Sequence, residues 1–325
     1  MKQYIRIFLS ALLVLAAILT TYAQDKKALE VTDIMKFRQL RSVSISGDGN
    51  WVVHTAKPDR GDPEVLVYST DGKKEYSIPR GEKPVLSPDG KWVAAVNSGP
   101  AEDLLKSKPA KDDPGPKAGL ILLNTSTGEQ TVYGKVQSFQ FSNDSKWLLF
   151  LNFREEEEKE DGKEITGSVL NVISLQDEIQ MSFPFVAKYS IDSVSRFLVF
   201  AVADTTRAGN GAFLVDLDEG SGQSKPVYTD SNSWANYFSW NNRTGDLAFL
   251  AGILDKKENP GDAELFFWSP GEQVARSVLS DTDLTDEWKI YHTNSLRWTK
   301  DGERLFLGIK PVSEIIPTDK ENNDS

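Results

Sequence analysis

Short apolar stretches separated by tight turns recur along the chain. The clearest copy covers residues 84–97, where the tetrapeptide Ser-Pro-Asp-Gly at residues 87–90 separates one apolar run from a second that begins at Trp92. Proline presets φ at the second place of a turn, aspartate tolerates the next place, and glycine accepts a positive φ. An apolar run, such a turn and a second apolar run together predict a buried β-hairpin.

Six copies of this hairpin are visible, at residues 43–54, 84–97, 139–150, 189–200, 238–249 and 296–307. We call the residue that opens the second arm of each copy the anchor residue; the anchors are Trp51, Trp92, Trp147, Phe197, Asp246 and Arg304. They follow one another at roughly 40 to 60 residues, and in all but the sixth unit a second hairpin follows the first. This period predicts an all-β fold: a β-propeller of four-stranded antiparallel blades, with about six blades visible and the last incomplete.

Insertions interrupt the period at residues 99–117, 154–163 and 251–262, each between the two hairpins of a unit, so they are expected on rim loops. The second insertion contains four consecutive glutamates at 155–158. These are interpreted as a solvated loop; cation binding is the alternative, although calcium-loop spacing is missing.

The propeller is predicted at residues 43–310, followed by a polar tail at residues 311–325. The tail begins where the second hairpin of the sixth unit should begin. Because an open blade edge exposes unpaired strand groups, we expect the chain to be the front part of something longer. The alternative is a six-bladed ring whose last blade is completed by an N-terminal strand.

Residues 1–23 are typical of a secretory signal peptide. Two basic residues precede an apolar stretch at residues 7–19, and cleavage is predicted after Ala23. We therefore expect an exported protein, periplasmic or extracellular, without membrane contact after cleavage. An uncleaved membrane anchor is the alternative, although the stretch is short for a span.

Residues 24–42 are predicted to be a lead-in segment with a short helix. Thr32 or Asp33 is expected to cap the helix, and Ile34 and Phe37 are spaced to share one of its faces.

Composition narrows the classes of function. The 325 residues are 39% hydrophobic and 26% charged, an ordinary globular balance. The formal net charge of −11 argues against a nucleic-acid partner, which requires a basic surface. The sequence has no cysteine, which excludes disulfides, thiolate metal sites and a cysteine nucleophile.

Motifs of the common enzyme classes are missing from the sequence. It contains no Gly-x-Ser-x-Gly elbow, no phosphate-binding glycine loop and no His-Glu-x-x-His. We therefore predict no catalytic residue, no cofactor-binding residue and no metal ligand, and we expect no cofactor.

Candidate ligand contacts precede the fifth and sixth hairpins: Trp234, Tyr237, Trp288 and His292. Equivalent loops of a propeller lie on one face, so Trp234 and Trp288 are expected to share a surface; packing between blades is the alternative for both. His54 holds the place of Phe150, Phe200 and Phe249 in its hairpin and is interpreted as a packed core residue, and the anchor tryptophans likewise as core.

Residues 29–37, Leu-Glu-Val-Thr-Asp-Ile-Met-Lys-Phe, followed by Ser-Ile-Ser-Gly-Asp-Gly-Asn-Trp at residues 44–51, resemble the start of exported bacterial peptidases of the prolyl oligopeptidase family. Residues 87–92 resemble the repeat of their N-terminal propeller, which TolB-type propellers share. The resemblance covers roughly residues 29–310. It implies a propeller of seven or eight blades that caps a C-terminal α/β-hydrolase domain with a Ser-Asp-His triad and admits short or unfolded peptides.

In dipeptidyl-peptidase members of that family, acidic propeller residues hold the peptide N-terminus. No residue of this chain matches those acids or the triad, so none is assigned.

Three functions remain open after the sequence analysis. The first is the non-catalytic propeller of a serine peptidase, which meets its peptide substrate through a hydrolase domain absent from this chain. The second is a free-standing periplasmic propeller that binds a protein partner or a cell-envelope ligand. The third is a polysaccharide-acting propeller enzyme, which would need convergent acids, or histidine and a metal, on one face.

Overall fold

The computed structural model describes residues 28–35, 37–106, 117–154, 167–254, 260–290 and 295–312. Within these ranges the structure is nearly all β. The first strands are β1 Arg38–Ile45, β2 Trp51–Pro58, β3 Glu64–Ser69, β4 Glu75–Pro79, β5 Gly81–Leu86, β6 Trp92–Asn97, β7 Gly119–Asn124 and β8 Gln130–Tyr133. The next are β9 Val136–Phe141, β10 Trp147–Asn152, β11 Ser168–Ser174, β12 Gln180–Ile191, β13 Phe197–Val202, β14 Gly211–Asp216 and β15 Ser224–Thr229. The last are β16 Ser233–Trp240, β17 Leu247–Leu254, β18 Pro260–Trp268, β19 Arg276–Leu279, β20 Trp288–Ile290, β21 Arg297–Trp298, β22 Leu305–Phe306 and β23 Ile309–Pro311.

The strands form the antiparallel blades of a β-propeller, as the sequence predicts. Blade one is β1–β4, blade two β5–β8 and blade five β16–β19, each a four-stranded sheet with its strands in chain order. Blades three and four share β12: its first part pairs with β11, its last part pairs with β13, and Val186 pairs with both. In the sixth unit the described residues form two two-stranded ladders, β20 with β23 and β21 with β22.

The turn of the repeated hairpin has the same hydrogen bonding in every unit. The backbone N–H of the first turn residue donates to the carbonyl of the anchor residue; the first turn residues are Ser46, Ser87, Ser142, Asp192, Asn241 and Thr299. Gly90 has φ 70°, and its N–H donates to the carbonyl of Ser87. The predicted turn is therefore confirmed, and the six anchors are structurally equivalent.

Successive residues in the second arm of each hairpin face opposite sides of the blade and therefore contribute to two different blade interfaces. In the first five units the second residue after the anchor packs against the next blade, and in the second to sixth units the third residue packs against the preceding blade. The resulting contacts pair Val53 with Ala95, Ala94 with Phe150, Leu149 with Phe200, Val199 with Phe249 and Ala248 with Leu307, each pair within one apolar cluster. The core therefore consists of layers between successive blades rather than one central core.

Neighbouring turns are also joined by hydrogen bonds. The backbone N–H of Asp89 donates to the hydroxyl of Ser145 at 3.0 Å, and the N–H of Asp144 donates to the hydroxyl of Ser195 at 3.2 Å. Both serines are buried and have φ near +60°, at the place where three other turns carry glycine. These contacts link blade two to three and blade three to four.

Blade one differs from the expectation in two respects. Its first strand begins at Arg38, within the segment predicted as lead-in, because a bulge between Arg41 and Ser44 lets the charged residues continue the ladder with β2. His54 is half-buried rather than a core residue. It faces away from blade two and stacks on Tyr68, with ring centroids 5.8 Å apart.

Two helices lie outside the blades. Helix α1, Val31–Ile34, occupies the predicted lead-in position, but its N-cap is Glu30 rather than Thr32 or Asp33, and Asp33 accepts from the Glu30 N–H. Helix α2, Ala101–Lys106, lies in the first insertion. Most of the third insertion belongs to β17 and β18, since these strands extend beyond the predicted hairpins. Glu155 to Glu158 lie outside the described residues.

Candidate functional site

The structure has Trp234 and Tyr237 in strand β16, although the sequence placed them in a loop. Trp234 is half-buried, and its indole nitrogen is buried without a hydrogen-bond partner in the described part of the chain. Tyr237 has φ 56° within the bulge of β16 and packs against the apolar cluster between blade five and the sixth unit. Tyr237 thus contributes to packing between blades.

Trp288 begins β20 and is 39% exposed. It borders a shallow cleft of about 560 Å³ with Asp286, Glu287 and Val312. Among the described residues, no ring contact joins Trp288 to Trp234. His292 lies outside the described residues.

Trp234 shares its place in the repeat with three residues at the connections between blades. Arg80, Lys135 and Phe185 each stand seven residues before the first turn residue, as Trp234 does, and their φ values are 60°, 54° and 57°. The carbonyls of these three accept backbone N–H groups from Ser98, Phe153 and Ala203 at 3.1, 2.7 and 2.8 Å. Left-handed backbone is costly for residues with a side chain, and these hydrogen bonds help to hold the backbone of the connections in that conformation.

A deeper cleft of about 660 Å³ lies where blade two meets blade three. We call it the blade cleft. Its walls include the rings of Tyr133, Phe150 and Phe153 and the amides of Asn152 and Asn171. The exposed side chains of Val132, Val169 and Phe185 stand at its edge. The volume and the mixture of rings with a few polar groups are those of a small-ligand site.

The two amides in the blade cleft form one hydrogen-bonded pair. Asn171 donates from Nδ2 to Oδ1 of Asn152 at 2.5 Å, and Asn152 donates from its own Nδ2 to the carbonyl of Gly134 at 3.3 Å. Ser182 donates its hydroxyl to Oδ1 of Asn171 at 3.3 Å. This pairing fixes both amide planes while Asn171 retains a second N–H.

The charged side chains that line the blade cleft within the described residues are basic. Lys135 and Arg154 line it, and among the described residues no aspartate or glutamate does. Burial raises the pKa of Tyr133, so its phenol stays neutral and can donate a hydrogen bond at physiological pH.

Within the described ranges, no three His, Asp or Glu side chains are grouped so that they could hold a metal ion. No helix in the described ranges is long and apolar enough to cross a bilayer.

Sequence reasoning missed the blade cleft. Asn152 and Asn171 belong to different hairpins, separated by the second insertion, and their pairing is set by the register of β10 with β11. The one signal in the sequence is that asparagine interrupts apolar runs in both strands.

No family model matches the chain, and no curated protein matches it. Solved structures do resemble it. The β-propeller domain of the Trilobed protease from Pyrococcus furiosus is 13% identical, with a TM-score of 0.42 over 85% of this chain and 83% of that chain. The likeness is one of fold. Acylaminoacyl peptidase from Pyrococcus horikoshii is 15% identical, with a TM-score of 0.40 over 81% of this chain. An oligogalacturonate lyase solved in complex with manganese is 12% identical, with a TM-score of 0.43 over 81% of this chain and 69% of that chain.

The chain spans 41% of the length of the Pyrococcus horikoshii peptidase. These similar structures include a protease, a peptidase and a lyase, so the similarity does not discriminate between their activities.

Proposed function

We propose that the chain is the non-catalytic propeller of a serine peptidase of the prolyl oligopeptidase kind, and that it controls the access of peptides to an α/β-hydrolase domain outside this chain. The resemblance of residues 29–37 and 87–92 to that family supports the proposal. The substrate is then a peptide, and the propeller contributes selection by size rather than bond cleavage.

The observation that carries the proposal is that blade one and the sixth unit each have an apolar face that no other described residue covers. On blade one, the face away from blade two carries Leu40 and Ile45, which are 65% and 61% exposed, beside half-buried Val52 and Leu66. In the sixth unit Phe306 is 60% exposed, although the equivalent residue of every other blade is buried. Apolar faces of this kind are stabilised by a neighbouring sheet, which supports a role within a larger structure.

Reading the gene past the codon of Ser325 tests this proposal most directly. We expect a continued reading frame that encodes a further blade and a Gly-x-Ser-x-Gly elbow. A stop codon at that point would contradict the peptidase assignment and favour a free-standing binding propeller.

A peptidase assay provides an independent test. The purified chain should leave fluorogenic proline-containing and N-acetylated peptides uncleaved, because it lacks a nucleophile elbow. Hydrolysis that copurifies with the chain through two chromatographic steps would show that the catalytic groups had been misassigned.

We also propose that the protein is exported and cleaved after Ala23. The support is the leader pattern of residues 1–23, which lie outside the described residues. Mass spectrometry of the protein recovered from the periplasm or medium should find a chain that begins at Gln24. Recovery of the intact N-terminus from the membrane fraction would refute cleavage.

A further inference from the structure

Three apolar side chains pack together at three of the four interfaces among blades one to five. The first comes from the outer strand of the preceding blade, the second is the third residue after the anchor of the following blade, and the third is the strand partner of the second. The trios are Ile78, Ala95 and Ile121 between blades one and two, Phe183, Phe200 and Phe213 between blades three and four, and Tyr228, Phe249 and Phe266 between blades four and five. They fill the space between the outer halves of neighbouring blades.

The interface between blades two and three departs from this pattern. Tyr133 and Phe150 take the first two places, with ring centroids 4.9 Å apart, but the third place is held by Asn171, the strand partner of Phe150. Asn171 is half-buried, and its amide is hydrogen-bonded to Asn152 at 2.5 Å. It brings less apolar surface into the interface than the isoleucine or phenylalanine that holds this place elsewhere, and it lines the blade cleft of about 660 Å³.

The outer strands of the other neighbouring blades are tied to each other. The side chain of Gln130 donates to the carbonyl of Ser77 at 2.9 Å, which joins β8 to β4. The N–H of Ala275 donates to the carbonyl of Val227 at 2.8 Å, which joins blade five to β15. Blades three and four are joined by the backbone itself, because β12 belongs to both. Between blades two and three, no hydrogen bond within the described residues joins β8 to β12.

The hydrogen bonds that do cross between blades two and three involve neither β8 nor β12. In the described part of the chain they join the N–H of Asp89 to the hydroxyl of Ser145, the N–H of Val136 to the carbonyl of Ala118 and Nζ of Lys117 to the carbonyl of Arg154. These bonds fix the turn of blade two and the start of β7 against blade three. The outer strand β8 is held against blade three by packing, chiefly of Tyr133 on Phe150.

The connection between the two blades has room to move. It consists of Gly134 and Lys135, between β8 and β9. A Cβ added to Gly134 would meet no heavy atom beyond its chain neighbours within 4 Å. One added to Gly81, at the connection of blades one and two, would lie 2.9 Å from the carbonyl oxygen of Ile78. The chain can therefore bend at Gly134 without a clash, as a hinge requires.

We propose that the interface between blades two and three is a hinge within the propeller. Strand β8 swings with blade two towards and away from β12, so the blade cleft narrows and widens, while blades three and four stay together through their shared strand. The motion costs little, because it breaks no hydrogen bond between the outer strands and displaces few packed apolar side chains. Collective motions of this kind occur in microseconds to milliseconds. The hinge is independent of the proposed peptidase role.

Double electron–electron resonance on the full chain measures this motion as a distribution of distances between two spin labels. The sequence has no cysteine, so labels attach to introduced cysteines alone. Thr131→Cys with Gln180→Cys places labels at exposed positions of β8 and β12; Gln180→Cys with Ser224→Cys places them on β12 and β15 as the control. The first pair should give a clearly broader distribution than the control pair. Equal widths would overturn the hinge.

Asn171→Phe tests the cause of the motion, because it supplies the third apolar side chain of the trio. In this variant the distance distribution of the first label pair should narrow to the width of the control pair. Asn242→Phe makes the same change at an exposed turn residue and should leave the distribution broad. A distribution that stays broad in Asn171→Phe would refute the role of the missing apolar side chain.

Amide hydrogen exchange provides a readout in the unmodified chain. The N–H of Phe153 donates to the carbonyl of Lys135 at the proposed hinge, and the N–H of Ser98 donates to the carbonyl of Arg80 at the connection of blades one and two. Both donor residues are half-buried, and both precede an insertion. The protection factor of Phe153 should be lower than that of Ser98, although its hydrogen bond is the shorter, at 2.7 Å against 3.1 Å. Equal or greater protection of Phe153 would contradict a hinge at this connection.

Discussion

Ser145 joins the turn of blade three to the turn of blade two, and it does so in a backbone conformation that serine rarely adopts. Its φ is 60°, its side chain is 3% exposed, and its hydroxyl accepts the N–H of Asp89 at 3.0 Å. The equivalent residue of blade two is Gly90. The hydrogen bond between blades is therefore obtained at the expense of local strain.

Two substitutions separate the hydrogen bond from the strain. Ser145→Ala removes the acceptor, leaves the partly buried N–H of Asp89 unsatisfied and keeps a Cβ at positive φ; we expect a loss of about 1–3 kcal/mol in the free energy of unfolding. Ser145→Gly loses the same hydrogen bond but relieves the left-handed Cβ, which is worth about 1–2 kcal/mol. Glycine's greater backbone entropy in the unfolded chain offsets about 0.5–1 kcal/mol of this relief, so glycine should be the less destabilising replacement by about 0.5–1 kcal/mol.

Urea unfolding of the two variants and the wild type, followed by tryptophan fluorescence, measures these differences if the m-values agree. The control is Ser231, an exposed turn residue that is not among those with positive φ, where alanine should be at least as stable as glycine. If Ser145→Ala proved as stable as the wild type, or more stable than Ser145→Gly, the left-handed turn and its hydrogen bond would both be refuted.

Three further predictions follow from burial. Burial raises the pKa of Asp192 above its ordinary value of 3.8, so the folded protein loses stability as the pH rises above 3.8 and through the folded pKa. Asp192→Asn does not ionise, so it should gain stability relative to the wild type over that rise in urea titrations at several pH values, and a stability difference that stays constant with pH would contradict this. Phe249→Ala should lower the free energy of unfolding by about 3–5 kcal/mol, because its ring is buried between blades. Phe306→Ala should change the free energy of unfolding by no more than about 0.5 kcal/mol, because its ring is exposed. Equal losses for the two variants in thermal melts would refute the assignment of Phe249 to a buried face and Phe306 to an exposed one. Trp234→Phe removes a buried indole N–H without a partner, so chemical denaturation should find a variant at least as stable as the wild type, and a loss above about 2 kcal/mol would show that the N–H is satisfied.

The blades could be predicted from the sequence because each hairpin carries its own information. The Ser-Pro-Asp-Gly turn at residues 87–90 specifies a local conformation, and the alternation after Trp92 specifies two buried faces. Even Asp246 and Arg304, which lack the aromatic character of the other anchors, make the same hydrogen bond to the first turn residue. Turn chemistry therefore identified equivalent residues where hydrophobicity would have missed them.

The blade cleft could not be predicted, because its residues meet across an insertion. The register of β10 against β11 is set by pairing through Phe150 and Asn171, and the intervening segment varies in length between blades. Without that register, Asn171 reads as an ordinary polar residue of a strand. The register shows that Asn171 is equivalent to Phe213 and Phe266, the aromatic residues at the same place in the next two blades.

The third residue after the anchor shows why equivalent positions need not be equally buried. Phe150 and Phe200 place their rings against a preceding blade, whereas His54 holds the same place on blade one, where no described blade precedes it. A phenyl ring there would expose apolar surface, but an imidazole can stack one face on Tyr68 and keep its nitrogens in water. Whether a residue at this place is buried thus depends on the neighbouring blade as well as on its own blade. A prediction made from the repeat alone fails at blade one, which no described blade precedes.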